Sequence, residues 1–162
     1  MKQLKQVSNS FGKIIFNAIR NMNTNITYTN TLAIEDYTMF RKIVGWQELS
    51  ERQIEISLKN STSLIVAMDG TKPIGMARTI TDGGYFVLLV DVIVLPEYQK
   101  TGIGRELMTR LMTGINENIN ENETVCVSLM AATGKEEFYE KFGFTKRPNA
   151  EQGAGMMQYI KK

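Results

Sequence analysis

Apolar positions along this chain change period several times, and each change predicts an element. Residues 26–30, Ile-Thr-Tyr-Thr-Asn, alternate as a first strand. Residues 32–44 and 50–59 carry helical spacing, and Ser50 followed by Gln53 supplies a capping box for the second helix. Gly45 and Trp46 lie in the loop between them. Strands follow at 62–68 and 73–81, with Asp69-Gly70 as the hairpin turn, and Asp82-Gly83-Gly84 leads into a long apolar strand over 85–95. Ile103, Leu107, Leu111 and Ile115 recur at every fourth position and predict a helix over 103–118. A polar, asparagine-rich stretch then precedes a strand over 124–130, a short helix over 134–141, and strands near 144 and over 156–160. Ahead of all these, Phe11, Ile14, Ile15, Ala18, Ile19 and Met22 form one helical stripe. Residues 1–22 are therefore expected as an amphipathic helical appendage to a domain over 23–162. The stripe is poor in basic residues and suits packing on the domain or a partner subunit better than a membrane, and Met22 offers an alternative start. This order gives an α/β fold, a central sheet covered by helices.

The 162 residues fit one domain with a single core, and no apolar run approaches the roughly 20 residues of a membrane span. A net charge of +2 argues against a nucleic-acid partner, whose binding needs a concentrated basic face. Histidine is absent, which rules out Ser-His and Cys-His catalysis and removes the commonest metal ligand, so no metal is expected. Cys126 is the single cysteine, so there is no disulfide framework and a reducing cytoplasm is the simplest compartment. Its apolar setting, Val-Cys-Val-Ser-Leu, reads as packing rather than as a nucleophile.

The end of the strand over 85–95 carries the chemistry. Pro96 cannot donate to a sheet ladder and closes the strand, and Gly102 and Gly104 allow a tight turn into the helix. The first N–H groups of that helix have no internal partner, and together with the helix dipole they suit a phosphate. Lys100 and Arg105 read either as additional ligands of that anion or as ordinary solvated charge. A P-loop would need GxxxxGK followed by Ser or Thr, whereas Arg105 and Glu106 follow the second glycine here. A dinucleotide fingerprint would need a third glycine or alanine where Leu107 stands. Asp91 is the one charge inside the apolar strand, and burial obliges it to find a partner or water. Amine binding or proton removal and a purely structural role both satisfy that demand.

Gln99, Lys100, Thr101, Gly102, Ile103 and Gly104, following Val-Ile-Val-Leu-Pro-Glu-Tyr, resemble motif A of the GCN5-related N-acetyltransferase (GNAT) family, as does the later Phe-Tyr-Glu-Lys-Phe-Gly-Phe at 138–144. The resemblance implies a splayed, mixed but mostly antiparallel sheet, and acetyl-coenzyme A as cosubstrate. Its pyrophosphate would lie on the backbone from Lys100 to Arg105, and its pantetheine arm along the backbone of Val92, Ile93 and Val94. Tyr139 stands where the family places a general acid, and Trp46 where it builds the acceptor pocket. Tyr37, Met39 and Arg78 are weaker candidates for that wall. Two departures from the family are visible. Ala132 replaces an asparagine that contacts the cofactor in many members, with Thr133, Gly134 or Lys135 as substitutes, and Leu88 stands where some members carry a glutamate base. The implied activity is acetyl transfer to a primary amine, expected to be a small molecule, by direct attack in a ternary complex. A protein or peptide acceptor and a non-catalytic coenzyme A-binding module stay open. A homodimer is a family habit.

Overall fold

The computed structural model describes residues 26–160. The stripe over 1–22 lies outside the described residues. The elements are β1 (Ile26–Thr29), α1 (Ile34–Ile43), α2 (Glu51–Lys59), β2 (Ser63–Asp69), β3 (Lys72–Thr81), β4 (Phe86–Val94), α3 (Ile103–Glu117), β5 (Cys126–Leu129) and α4 (Glu136–Glu140), with a 3-10 turn over Pro96–Tyr98. They form a five-stranded sheet in chain order, β1 to β4 antiparallel and β5 parallel to β4. A mixed, mostly antiparallel sheet flanked by helices is the expected class.

Local chemistry explains most of the boundaries. Ser50 Oγ accepts the Gln53 N–H while Gln53 Oε1 accepts the Ser50 N–H, so the capping box forms and starts α2. Gly70, at φ 58°, turns β2 into β3. Pro73 to Thr79 of β3 are buried without a break, which requires cover on both faces of the sheet. Tyr37 and Phe40 of α1, Ile54 of α2, and Leu107, Met108 and Leu111 of α3 are all within 2% of complete burial. Gly75 of β3 lets α3 come close: a Cβ there would stand 3.0 Å from the Ile93 carbonyl and 3.3 Å from Leu107. Among the described residues no helix is long and apolar enough to cross a membrane.

Two expected strands do not form. Near 144 the chain instead closes α4: Gly143 takes φ 86°, and the Phe144 N–H turns back to the Tyr139 carbonyl. This helix stop uses the residues that would have begun a strand. Residues 156–160 have the apolar content of a strand but no strand beside them among the described residues, and their side chains stand in the open.

Candidate active site

Two strands that begin together and then part make the framework. β4 and β5 pair from Phe86–Cys126 to Leu89–Leu129, where β5 ends while β4 continues to Val94. Beyond Leu89 the β5-facing side of β4 has no strand partner among the described residues. A bulge accompanies the parting: Arg78 of β3 pairs with Val90 and Met76 with Ile93, so Asp91 and Val92 together face Ala77. Asp91, a non-glycine residue at φ 52°, absorbs the irregularity. An extended ligand with amides could add to the open edge at Val92, Ile93 and Val94 through backbone groups alone, since the Ile93 side chain is in the core.

The cradle lies at the end of this strand. Lys100 (φ 63°) and Gly102 (φ 100°) both adopt left-handed backbone, curling the N–H groups into a nest at the start of α3. Gly102 caps α3 without a side-chain bond, and no N–H from Lys100 to Arg105 meets an acceptor among the described residues. That set of free donors fits a pyrophosphate. The space in front of Gly102 is open, with no atom within 4 Å of where a Cβ would stand. Lys100 and Arg105 have no carboxylate within ion-pair range among the described residues, the neighbouring Glu97 and Glu106 being held by Lys72 and Arg110. Gln99 and Thr101 act within the turn: the Gln99 amide donates to the Val94 carbonyl at 3.0 Å and the Thr101 hydroxyl to the Tyr98 carbonyl at 2.6 Å. Ile103 is buried, so only its backbone faces the cradle.

A cavity of about 230 Å³ opens beside Arg105, lined also by Thr109, Phe138, Lys141 and Phe142. The sequence reading missed Thr109 and Lys141. Their signal is helical spacing, Thr109 standing four residues after Arg105 and Lys141 three after Phe138. Lys135, the residue proposed from sequence, is exposed at the N-cap of α4 and does not line this cavity.

Tyr139 lies in α4 with its ring edge-on to Phe138 at 5.1 Å and to Phe144 at 6.2 Å. Phe138 and Phe142 pack against each other as the helix's inner stripe, leaving Tyr139 on the adjoining face. Its hydroxyl has no hydrogen-bond partner among the described residues and is not sealed from open space. Burial raises the phenol above its ordinary value near 10, so it holds its proton through neutral pH.

Asp91 has a more elaborate setting than the sequence suggested. Its Oδ2 accepts the Tyr37 hydroxyl at 2.6 Å and the Arg78 Nε at 2.5 Å, and Arg78 Nη1 continues to the Ser57 carbonyl and the Ser61 hydroxyl. Tyr37 and Arg78 thus both hold Asp91. Both ionised side chains are under 10% exposed. The Tyr37 phenol is raised by burial first and then by the adjacent carboxylate, which keeps it a donor. Oδ1 has no hydrogen-bond partner among the described residues, and since no fully buried side-chain oxygen lacks one, it borders open space. Arg78→Lys keeps the charge but loses the fork that reaches Ser57 and Ser61. It is expected to lower unfolding free energy by about 1–3 kcal/mol, read from the urea midpoint.

Trp46 follows α1, partly exposed, with the Arg41 guanidinium 5.4 Å from its ring. The cleft it shares with Thr38, Leu49 and Ile54 measures about 20 Å³, too small for an acceptor, so only the outer face of the ring is available to one. Met39 is half-buried against the core, and Cys126 half-buried with its Sγ 3.8 Å from the Ser128 hydroxyl. No group of three or more metal-ligating side chains gathers among the described residues.

Residues 26–160 match the acetyltransferase (GNAT) domain family. The chain belongs to the GNAT family. An uncharacterized N-acetyltransferase ycf52 of Pyropia yezoensis is 32% identical over 114 residues, 68% of this chain and 63% of the relative, so that match spans just under two thirds of the relative's length. The corresponding protein of Porphyra purpurea is 27% identical over 154 residues, 90% of this chain and 86% of the relative. A Staphylococcus aureus structure described as a probable acetyltransferase superposes with a TM-score of 0.74 at 30% identity, covering 83% of this chain and 99% of that one. A GNAT acetyltransferase acting on an amine is therefore the activity class, and acetyl-coenzyme A the cosubstrate that the fold implies.

Proposed function

We propose that this GNAT domain transfers the acetyl group of acetyl-coenzyme A to the primary amine of a small molecule, by direct attack within a ternary complex. The observation that carries the reading is the continuity of an open β4 edge with a nest of free N–H groups, against which α4 packs through Phe138 while its Tyr139 phenol has no hydrogen-bond partner among the described residues. In this reading the backbone of Lys100 to Arg105 holds the pyrophosphate, with Lys100 and Arg105 adding charge-assisted contacts. Val92, Ile93 and Val94 align the pantetheine arm. The cavity between Arg105 and Lys141 takes a further part of the same ligand.

The acceptor arrives as an ammonium and must lose a proton before attack. Asp91 binds it at Oδ1 and passes the proton to water. The amine nitrogen then forms a bond to the carbonyl carbon, the carbon–sulfur bond breaks, Tyr139 gives its proton to the leaving thiolate, and the second proton shed by the nitrogen as the amide forms returns through water to the Tyr139 phenolate. The recessed position of Asp91 favours an ammonium on a narrow, flexible stem, which supports a small amine.

A thiol-release assay with acetyl-coenzyme A and a panel of polyamines, arylalkylamines, aminoglycosides, amino acids and peptides tests the proposal. Release with at least one small primary amine is expected. Turnover confined to peptides would move the acceptor to the protein class. Tight acetyl-coenzyme A binding without release by any amine would replace the enzyme with a coenzyme A-binding module.

A further inference from the structure

The nest at the start of α3 is held in an unfavourable backbone. Lys100, which carries a side chain, stands at φ 63°, and Gly102 at φ 100°. Left-handed backbone at a residue other than glycine persists only where its surroundings fix it. Most of the bonds nearby are internal to the turn. The Tyr98 and Gln99 N–H groups donate to the Leu95 and Pro96 carbonyls at 2.9 and 3.2 Å, and the Thr101 hydroxyl donates to the Tyr98 carbonyl. These bonds shape the turn without fixing its place against the sheet.

Two side-chain bonds fix that place. The Tyr98 hydroxyl donates to Asp69 Oδ2 at 2.7 Å, and Lys72 Nζ donates to Glu97 Oε1 at 3.0 Å. Among the described residues no other hydrogen bond ties residues 96–104 to an element besides β4 and α3. Both reach the β2–β3 hairpin, where Asp69 closes β2, Lys72 opens β3 and the two are paired. They differ in weight. Lys72 and Glu97 are about half exposed, so water screens their attraction. Tyr98 packs partly buried against the core, with the Lys72 ammonium 5.5 Å from its ring, and its hydroxyl meets a carboxylate, the stronger kind of hydrogen bond.

We infer that Tyr98 is a positioning residue for the cosubstrate: through Asp69 it fastens the nest to the β2–β3 hairpin and so presents the N–H groups of Lys100 to Arg105 in the arrangement a pyrophosphate needs. The inference rests on the proposed placement of the pyrophosphate in that nest. Tyr98 is anchored at both ends, its hydroxyl on Asp69 and its carbonyl on Thr101, and Thr101 lies between the two left-handed residues. The chain of contacts therefore runs from the hairpin to the centre of the nest. With the hydroxyl engaged by Asp69, the residue acts on the ligand through the backbone it holds. A nest free to shift must be ordered at the moment of binding, and affinity falls accordingly.

Tyr98→Phe deletes the bond and keeps the ring. Calorimetric titration of the full chain is expected to show acetyl-coenzyme A bound about tenfold more weakly, the weight of one hydrogen bond to a carboxylate. Asp69→Ala should do the same, and the double variant should be no worse than either single one, because each breaks the same bond. Asp69→Asn keeps an acceptor for the hydroxyl and should restore most of the affinity. Pantetheine has the arm but no pyrophosphate, so it should bind the native chain and Tyr98→Phe alike, a contrast that general loosening of the fold would not produce. In turnover the loss should fall on KM for acetyl-coenzyme A rather than on kcat. Native affinity in Tyr98→Phe overturns the inference, as do equal losses for pantetheine and acetyl-coenzyme A, or additive losses in the double variant. Those three results leave the proposed cosubstrate site standing. A native chain that binds no acetyl-coenzyme A removes that site and the role of Tyr98 together.

Discussion

Tyr139→Phe is expected to slow acetyl transfer by about a hundredfold or more, the usual contribution of a positioned general acid, while acetyl-coenzyme A affinity stays nearly unchanged. Two features make the substitution clean. The hydroxyl has no hydrogen-bond partner among the described residues, so its removal orphans nothing, and the ring keeps its edge contacts with Phe138 and Phe144. The measurement is steady-state turnover beside equilibrium titration of the cosubstrate. Unchanged turnover would remove Tyr139 from the chemistry. The pH profile offers a second check. Because burial raises the phenol, the acid stays protonated at neutral pH and is lost only above its ordinary value near 10, so the alkaline limb that it causes must disappear in the Phe variant. The sign for stability agrees: the fold binds this proton more tightly than the unfolded chain does, so this contribution is intact below about pH 10 and wanes as pH rises through the folded value.

Gly104→Asp is the second large effect, and its expected outcome is the loss of measurable acetyl-coenzyme A binding from a folded protein. A Cβ at this position would meet Phe138 and Val94 at 3.6 Å, ordinary contact distances, and Gly104 has no left-handed backbone to strain. An aspartate in the first turn of α3 is favourable to the helix itself. It would also set a negative charge against the incoming pyrophosphate, in the groove between β4 and α4. Gly102→Asp is the less discriminating variant, since φ 100° adds about 1–3 kcal/mol of backbone strain to the same repulsion. Calorimetric titration and a thermal melt on Gly104→Asp separate the two effects. Tight binding in that variant would displace the cosubstrate from this groove.

Much of this was legible before the fold, for identifiable reasons. The every-fourth spacing of Ile103, Leu107 and Leu111 and the glycines ahead of them encode a helix with an uncapped start, because both depend on neighbours in sequence. The capping box at Ser50 is local in the same way. Asp91 was not legible to the same depth. Its partners lie 54 and 13 residues away on α1 and β3, and a bulge decides which way its carboxylate turns. The strand expected near 144 failed because Gly143 stops α4 with Phe144, a use of the same residues that an apolar pattern does not distinguish. Lys135 was placed by resemblance, whereas Lys141 reaches the cavity because α4 spans only five residues and ends beside α3.

The bulge at Asp91 ties two binding events together. The carboxylate proposed for the acceptor and the open backbone at Val92, Ile93 and Val94 are consecutive residues, and Tyr37 and Arg78 fasten the first of them to α1 and to the end of α2. A ligand that orders one of these residues reduces the conformational freedom left for the next ligand to remove. Donor and acceptor should therefore strengthen each other's binding, and linkage requires the factor to be the same in both directions. That coupling would then follow from one irregular step in a strand rather than from any moving lid.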